Sequence, residues 1–515
     1  IEIYNKLCRA IRQWRCAAIV RSSSNGTKLR PLFVENQRDA SIRGAVSALW
    51  RRMKISTLYL PGFSHQLSGR AAGVQPAGRL RDDAHRLDGL AALVARFIPP
   101  EVLVAGAGRR ERVFTPWVTF IAFLGQVLTR GGACREAVRR VQAWSVSLKR
   151  AVPDDSTSAY CQARARLPLE SLHKVHERLG EWMARHQRET WKWCARSVKV
   201  LDGCGVSMPD TQENRARWPY AGGQKPGCGF PTAQMVGLFC LATGRLVRFA
   251  IDSWKAHEIP LARQLIGWIE TGEVVLADRG FCGWGLIALL QRKGVDVVMR
   301  AHQARKLQGN RMSWARPQRP SETWSKALWN ELPKALEMRI VRFRVAVPGF
   351  RTQEVVLVTT LLDKEQYSDE QIAALYLRRW SVELFFRDIK TTLGLDVLRC
   401  LSPELIEKEI YLQVIAYNLV RALMLEAAWT HDVAIERISF KGTVDTLRQW
   451  TPLMAPRMFA FKRARQELLR IIAADQVPDR PNRVEPRARK RRPKSYQLLT
   501  QPRRKMVVSA SRSMK

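Results

Sequence analysis

The stretch Tyr-Leu-Arg-Arg-Trp-Ser-Val-Glu-Leu-Phe-Phe-Arg-Asp-Ile-Lys, residues 376–390, sets Arg379, Glu383 and Lys390 three, seven and fourteen positions after Tyr376. At about 100° per residue the four fall inside one helical stripe about 60° wide. The helix is expected to begin after Ser368, where Ser-Asp-Glu-Gln spells a capping box in which two side chains satisfy two otherwise unpaired backbone N–H groups. A solvated charged stripe would show the same spacing. Leu375, Val382, Phe386 and Leu393 lie on or close to that side, however, so the face is partly covered. Burying a carboxylate between cations is costly unless it has a task.

Upstream, two short apolar runs each deliver an aspartate to a glycine turn. One is Lys199-Val200-Leu201-Asp202-Gly203; the other is Glu273-Val274-Val275-Leu276-Ala277-Asp278-Arg279-Gly280-Phe281. An acid at a strand's end sits where α/β sheets place ligands, and glycine lets another group approach closely. Singly, each run reads as well or better as a strand followed by a turn, an Asp-Gly turn in the first case. Together in one sheet, the two acids could bracket a hard divalent cation, which prefers carboxylate oxygens.

The runs around these acids are β-rich: Val198 to Leu201, Met235 to Leu241, Leu246 to Ile251, Val274 to Ala277 and Val295 to Met299. Trp284 to Lys293, between the last two, is apolar at helical spacing, so a βαβ unit and a mixed sheet covered by helices are expected. Residues Ala301 to Glu337 are largely polar and lead to two more strand-like runs, Met338 to Val347 and Glu354 to Leu361. Before the sheet, residues 89–190 read as helices, among them Phe114 to Leu128 and Ala133 to Trp144. A third opens at Asp154-Asp155-Ser156-Thr157, which offers several N-caps. The expected units are therefore an extension of uncertain status over 1–88, a compact basic helical domain over 89–190, an α/β domain with a mixed sheet over 191–474 and a basic flexible tail over 475–515. That tail holds Arg487-Ala488-Arg489-Lys490-Arg491-Arg492 and has too little apolar content to fold alone.

The 515 residues include 86 Lys and Arg against 46 Asp and Glu, a net charge of +40 that calls for a polyanionic partner. The 10 cysteines form no Cys-x-x-Cys pair, which argues against a zinc site or a disulfide framework and for a reducing compartment. No membrane span is expected, because the apolar stretch Phe114 to Leu128 is too short to cross a bilayer. Ile1 to Val20 lacks an apolar core between its charges, so no secretory signal is read there.

The motifs LDG at Asp202, ADRGF at Asp278 and YLRRWSVELFFRDIK at 376–390 resemble the bacterial insertion-sequence transposases whose signature is Tyr-x2-Arg-x3-Glu-x6-Lys, the family named for insertion sequence four. The resemblance covers about Gly89 to Ile471. It implies a ribonuclease-H-like mixed-sheet catalytic core over 191–474 with a β-rich insertion at about 301–361, preceded by a helical N-terminal, DNA-binding domain over 89–190. It also implies a DNA transposase that excises and joins an insertion sequence with two Mg2+ ions, for which Mn2+ can substitute. Asp202, Asp278 and Glu383 match the catalytic, metal-holding triad, and Tyr376, Arg379 and Lys390 match the residues that hold transposon-end DNA. Double-stranded DNA, a homodimer in a synaptic complex and a cytoplasmic, nucleoid-associated location follow from the same likeness. Trp314, Trp324 and Trp329, inside the insertion, are the candidates to stack on a flipped base, with core packing the competing role.

Two other readings share these residues: a structure-selective nuclease on the same fold, which would not join DNA, and a decayed transposase that only binds it. The Gly-rich run Gly222 to Gly229 lacks the Gly-Lys-Ser/Thr of a phosphate loop. His173 and His176 lack partners at zinc spacing and are expected on a helix surface, and Cys204 is expected to pack rather than to bind a hard cation.

Overall fold

Val198–Ser207 forms β1, whose apolar first half pairs on two sides. It runs antiparallel to β2 (Thr232–Cys240) and parallel to β4 (Val274–Ala277), and β2 in turn pairs antiparallel with β3 (Leu246–Ser253). β5 (Asp296–Arg300) continues the parallel set from β4. β6 (Arg311–Ala315), β7 (Ala335–Val345) and β8 (Gln353–Thr359) complete one eight-stranded sheet in the order β3-β2-β1-β4-β5-β8-β7-β6. This is the mixed α/β, ribonuclease-H-like core that the sequence implied. The computed structural model describes residues 89–104, 112–129, 131–221, 227–305, 307–345, 353–452, 461–478, 499 and 502. The extension over 1–88 and the basic run Arg487–Arg492 lie outside the described residues.

Side chains alternate across a strand, so β4 sends Val274 and Leu276 to one core and Val275 and Ala277 to the other. The helices Glu258–Leu265 and Trp284–Arg292 cover the second face, as the βαβ pattern predicts. The first face lies under Pro403–His431, which packs against Leu169–Arg185 and Pro116–Leu128 of the preceding helical stretch. One apolar core thus runs from the helices of 89–185 into the sheet. Pro403–His431 is apolar and long enough to cross a membrane, yet 94% of its most apolar window is buried inside the protein.

The expected insertion does not leave the sheet. β8 lies antiparallel on β5, with Met299 opposite Val358, and β7 and β6 follow it outward. β6 lies in the stretch read as polar; alternating partly buried Met312 and Trp314 with exposed neighbours, it is an edge strand too short for its period to stand out. Trp324 and Trp329 are buried together, their rings 5.4 Å apart, and an Arg305 guanidinium lies 4.1 Å over Trp314. Packing therefore accounts for Trp324 and Trp329.

The helix after Ser368 is not one helix. Its capping box forms as expected, but Asp369–Arg378 stops there, Ser381–Arg387 begins after a turn, and Asp388–Leu393 widens into a π-helical turn closed by Gly394 at φ 97°. Each piece serves a different neighbour: the first packs on β5 and β7, the second on β1, and the third on Pro403–His431. The expected single helix is therefore corrected to three short segments, the first two of which still bring Tyr376, Arg379 and Glu383 to one side while Lys390 lies on the third.

His176 also departs from its expected place. It is 1% exposed, its Nε2 lies 3.0 Å from the carbonyl of Leu246, and Asn418 clamps that same residue from both backbone groups. Leu246 begins β3, so the histidine ties the helical stretch to the sheet's edge. Burial pushes the imidazole down to about 3. Since the unfolded value is about 6.5, the unfolded chain takes up a proton first as pH falls, and stability drops between about 6.5 and 3. Between pH 7 and 5 this one site should cost about 2 kcal/mol. His176→Gln should flatten the fall in unfolding free energy over that interval by about this amount, measured by urea unfolding; an unchanged slope would contradict the assignment.

Candidate active site

The parallel pairing of β1 with β4 ends at Leu201 opposite Ala277, so the next residue on each strand is an aspartate. Asp202 and Asp278 stand side by side at the carboxyl end of that pairing, about 5 Å apart along the sheet by ordinary strand spacing. Asp202 is not at the end of its strand, because β1 runs on to Ser207 against β2 alone. Each carboxylate is held by a nearby backbone amide: Gly203 N–H donates to Asp202 Oδ1 at 2.9 Å and Gly280 N–H to Asp278 Oδ1 at 2.8 Å.

A third carboxylate joins them. Glu258 opens the helix after β3 and accepts a 2.9 Å hydrogen bond from Gln234 Nε2 on β2. A Cβ on Gly203 would meet Glu258 Oε1 at 2.2 Å, and one on Gly280 would lie 3.1 Å from Asp278 Oδ1 and 3.2 Å from Glu258 Oε2. The glycine after each aspartate thus leaves space that Glu258 uses. Burial, with the like charges of Asp278 and Glu258, pushes the Asp202 carboxyl up to about 6 against the Gly203 amide and Arg379. Burial and Asp278 raise Glu258 as well.

Facing this group is a cavity of about 330 Å³ lined by Asp278, Arg279, Arg300, Gln303, Tyr376, Arg379, Trp380 and Glu383. Tyr376 and Arg379 are buried, with the guanidinium 5.7 Å over the tyrosine ring, while the Glu383 side chain is 65% exposed and meets Arg379 at 3.8 Å. The Arg379 Nε–H is buried without an acceptor among the described residues, a donor that an entering anion could use. Lys390 turns elsewhere, its Nζ donating to the carbonyl of Gly205 at 2.9 Å near the end of β1. Cys204 packs against the core, as expected.

The structure therefore brings Asp202 beside Asp278, and Tyr376, Arg379 and Glu383 around one cavity with Asp278. Among the described residues, no three His, Cys, Asp or Glu side chains stand close enough to hold one ion. Sequence reasoning missed Glu258, Gln234, Arg300 and Gln303. Glu258 carries no motif of its own; its one trace is the glycine after each aspartate.

Residues 193–419 match the family described as "Transposase DDE domain". The chain is 25% identical over 396 residues to "Transposase InsG for insertion sequence element IS4" of Escherichia coli (strain K12), covering 72% of this chain and 84% of that one. It is 26% identical over 202 residues to "Putative transposase for insertion sequence element IS4SA" of Synechocystis sp. (strain ATCC 27184 / PCC 6803 / Kazusa), covering 38% and 55%. A solved piggyBac transposase synaptic complex with hairpin DNA aligns at a TM-score of 0.37 and 9% identity over 76% of this chain and 84% of that one, too loosely to establish topology or site. Fold and family match together define a DDE transposase, a class of metal-dependent DNA-cleaving enzymes. Within that class the chain is similar to transposases of the insertion-sequence-four elements.

The packing around the two strands gives a contrast to measure. Gly237, opposite Asp202 on β2, has Phe239 Cε2 at 2.8 Å and Leu246 Cδ1 at 3.0 Å from any added Cβ, both fixed in the core. Gly237→Ala should cost about 1–3 kcal/mol as overpacking. At Gly203 the obstacle is the end of the Glu258 side chain, which can move at the cost of its Gln234 hydrogen bond, so Gly203→Ala should cost less in urea unfolding while displacing Glu258. An equal or larger loss at Gly203 would contradict that geometry.

Proposed function

We propose that Asp202, Asp278 and Glu383 hold two divalent cations, Mg2+ in the cell with Mn2+ able to substitute, and that Tyr376, Arg379 and Lys390 hold transposon-end DNA beside them. The observation that carries this reading is the pairing of β1 with β4, which sets Asp202 beside Asp278, the second of which lines a cavity together with Glu383. The donor set suits hard cations, being oxygen alone, and the neighbouring like charges of Asp202 and Asp278 would gain most when a cation joins them. Such cations neutralise charge on the attacked phosphate and make the attacking oxygen a stronger nucleophile.

The protein's own work is then to hold and orient. Asp202 and Asp278 each accept a hydrogen bond from a glycine amide, which orients the carboxyl group. Arg379 is buried and offers a planar fork to a phosphate, and Tyr376 fixes that fork from below. Lys390 keeps donors beyond the one it gives to Gly205, so it can steady both β1 and a passing strand of DNA. Hydrolysis and strand transfer can share this site, because only the attacking oxygen differs between them. The expected homodimer, the synaptic complex with double-stranded DNA and a cytoplasmic, nucleoid-associated location belong to the same proposal, as does the division into a helical DNA-binding domain at 89–190 and a catalytic domain at 191–474. Strand transfer separates this reading from a structure-selective nuclease, which would cut and not join.

Asp202→Asn, Asp278→Asn and Glu383→Gln should each abolish cleavage of a transposon-end duplex in Mg2+ and leave its binding largely intact, because phosphate contacts position DNA independently of the cations. Retained cleavage by any one of them would remove that residue from the triad. Arg379→Ala should lose a charge-assisted phosphate contact of about 1.5–3 kcal/mol, roughly ten- to a hundredfold in end affinity. Arg379→Lys should recover only part of it, since a point charge cannot reproduce the two-pronged grip. Unchanged end binding together with weakened Mn2+ binding would instead assign Arg379 to organising the cation site.

A further inference from the structure

We propose that Cys134 and Cys161 are a redox-active pair, oxidised by a small hydroperoxide to a disulfide beside the buried guanidinium of Arg164. The pair lies in the helical stretch before the sheet and is independent of the cation site.

Three helices and one turn build the place. Cys134 is the first residue of Cys134–Ser147, and Cys161 and Arg164 lie one turn apart on Ser158–Arg166. Gln126, on Pro116–Leu128, bridges the two helices: its Nε2 donates to Cys134 Sγ at 3.7 Å, and its Oε1 accepts from the Tyr160 hydroxyl at 2.8 Å. Arg164 donates to Cys161 Sγ at 3.7 Å and to Cys400 Sγ, on the turn before Pro403–His431, at 3.8 Å. The Cys134 and Cys161 thiols are near enough to hydrogen-bond. Both residues are half-buried, which leaves an approach for a molecule as small as a peroxide, whereas Cys400 is buried.

Packing alone does not account for Arg164. It is 8% exposed, its Nε–H has no acceptor among the described residues, and the rings of Phe123 and Tyr160 lie 4.9 and 5.2 Å from its charge. Glu409, a carboxylate whose charge it meets, is already held by the backbone amides of Arg399 and Cys400. A buried cation without a carboxylate bonded to it is costly, and neutral thiols are weak acceptors. That cost falls when a sulfur beside it becomes negative, as it does when a thiol reacts through its thiolate.

The order of steps follows from which sulfur the guanidinium holds. Cys161 loses its proton to solvent, and its thiolate attacks one oxygen of the peroxide. An S–O bond forms, the O–O bond breaks, and the departing hydroxide takes up a proton as water, leaving Cys161 as a sulfenic acid. The Cys134 thiol then attacks that sulfur; the S–S bond forms, the S–O bond breaks, and the Cys134 proton leaves with the hydroxyl as a second water. Two electrons pass from the pair to the peroxide. Burial raises the Cys134 thiol against the pull of Arg164, which suits it to be the second thiol rather than the first.

The test treats the reduced full chain with hydrogen peroxide, quenches with an alkylating reagent and maps the products by mass spectrometry of its peptides. The Cys134–Cys161 disulfide should form about tenfold faster than the exposed Cys194 is oxidised, since exposure alone does not activate a thiol. Cys134→Ser should leave Cys161 as a sulfenic acid that dimedone traps, and Cys400→Ser should leave disulfide formation unchanged. In the Cys134→Ser background Arg164→Gln should slow trapping and Arg164→Lys should restore part of the rate. Cys134 and Cys161 both still open to alkylation once Cys194 is oxidised, or a disulfide joining Cys400 to either of them, would overturn the pair. Absence of a dimedone adduct at Cys161 would overturn the order of attack, and an unchanged trapping rate in Arg164→Gln would overturn the role of the guanidinium.

Discussion

The register of β1 against β4 is the constraint on which the rest depends. Parallel pairing that ends at Leu201 and Ala277 leaves Asp202 and Asp278 as neighbours, and a slip of one residue would turn either acid into the core. That register is held from both faces, by Val200, Val274 and Leu276 on one side and Leu201, Val275 and Ala277 on the other. The apolar layers thus hold together two groups that repel. The same burial that fixes the strands raises the Asp202 carboxyl to about 6, so the site carries electrostatic strain that a bound cation would relieve.

The second half of the site comes from chain that must bend to reach it. Asp369–Arg378 packs on β5 and β7, and Ser381–Arg387 on β1, so the turn at Arg379 and Trp380 falls where the two surfaces meet. Arg379 is buried at that turn, and Glu383, four residues on, stands out over the cavity. The arginine and the glutamate thus have different environments while remaining 3.8 Å apart. The π-helical turn then carries Lys390 back to the backbone of β1.

The parts legible in the sequence were those with a local signature. Apolar runs ending in an aspartate with a glycine one or two residues on marked β1 and β4, the Ser368 capping box marked a helix start, and the Trp284 helix between two strands marked the βαβ crossover. What stayed hidden depends on contacts between distant segments. Glu258 follows an unremarkable strand, and only the fold sets it against Gly203 and Gly280. His176 looked like a surface histidine because its partner, the Leu246 carbonyl, lies seventy residues away in the chain. The helix after Ser368 read as continuous because its residues favour helix throughout, and the breaks come from the three surfaces it meets.

The central claim is that the carboxylates at the end of the β1–β4 pairing bind a divalent cation. It is tested most directly by anomalous diffraction from crystals of the protein bound to an end duplex and soaked in Mn2+. The account predicts an anomalous peak between the side chains of Asp202 and Asp278. A peak elsewhere with none at this pair, or no Mn2+ in a complex that still cleaves DNA, would contradict it.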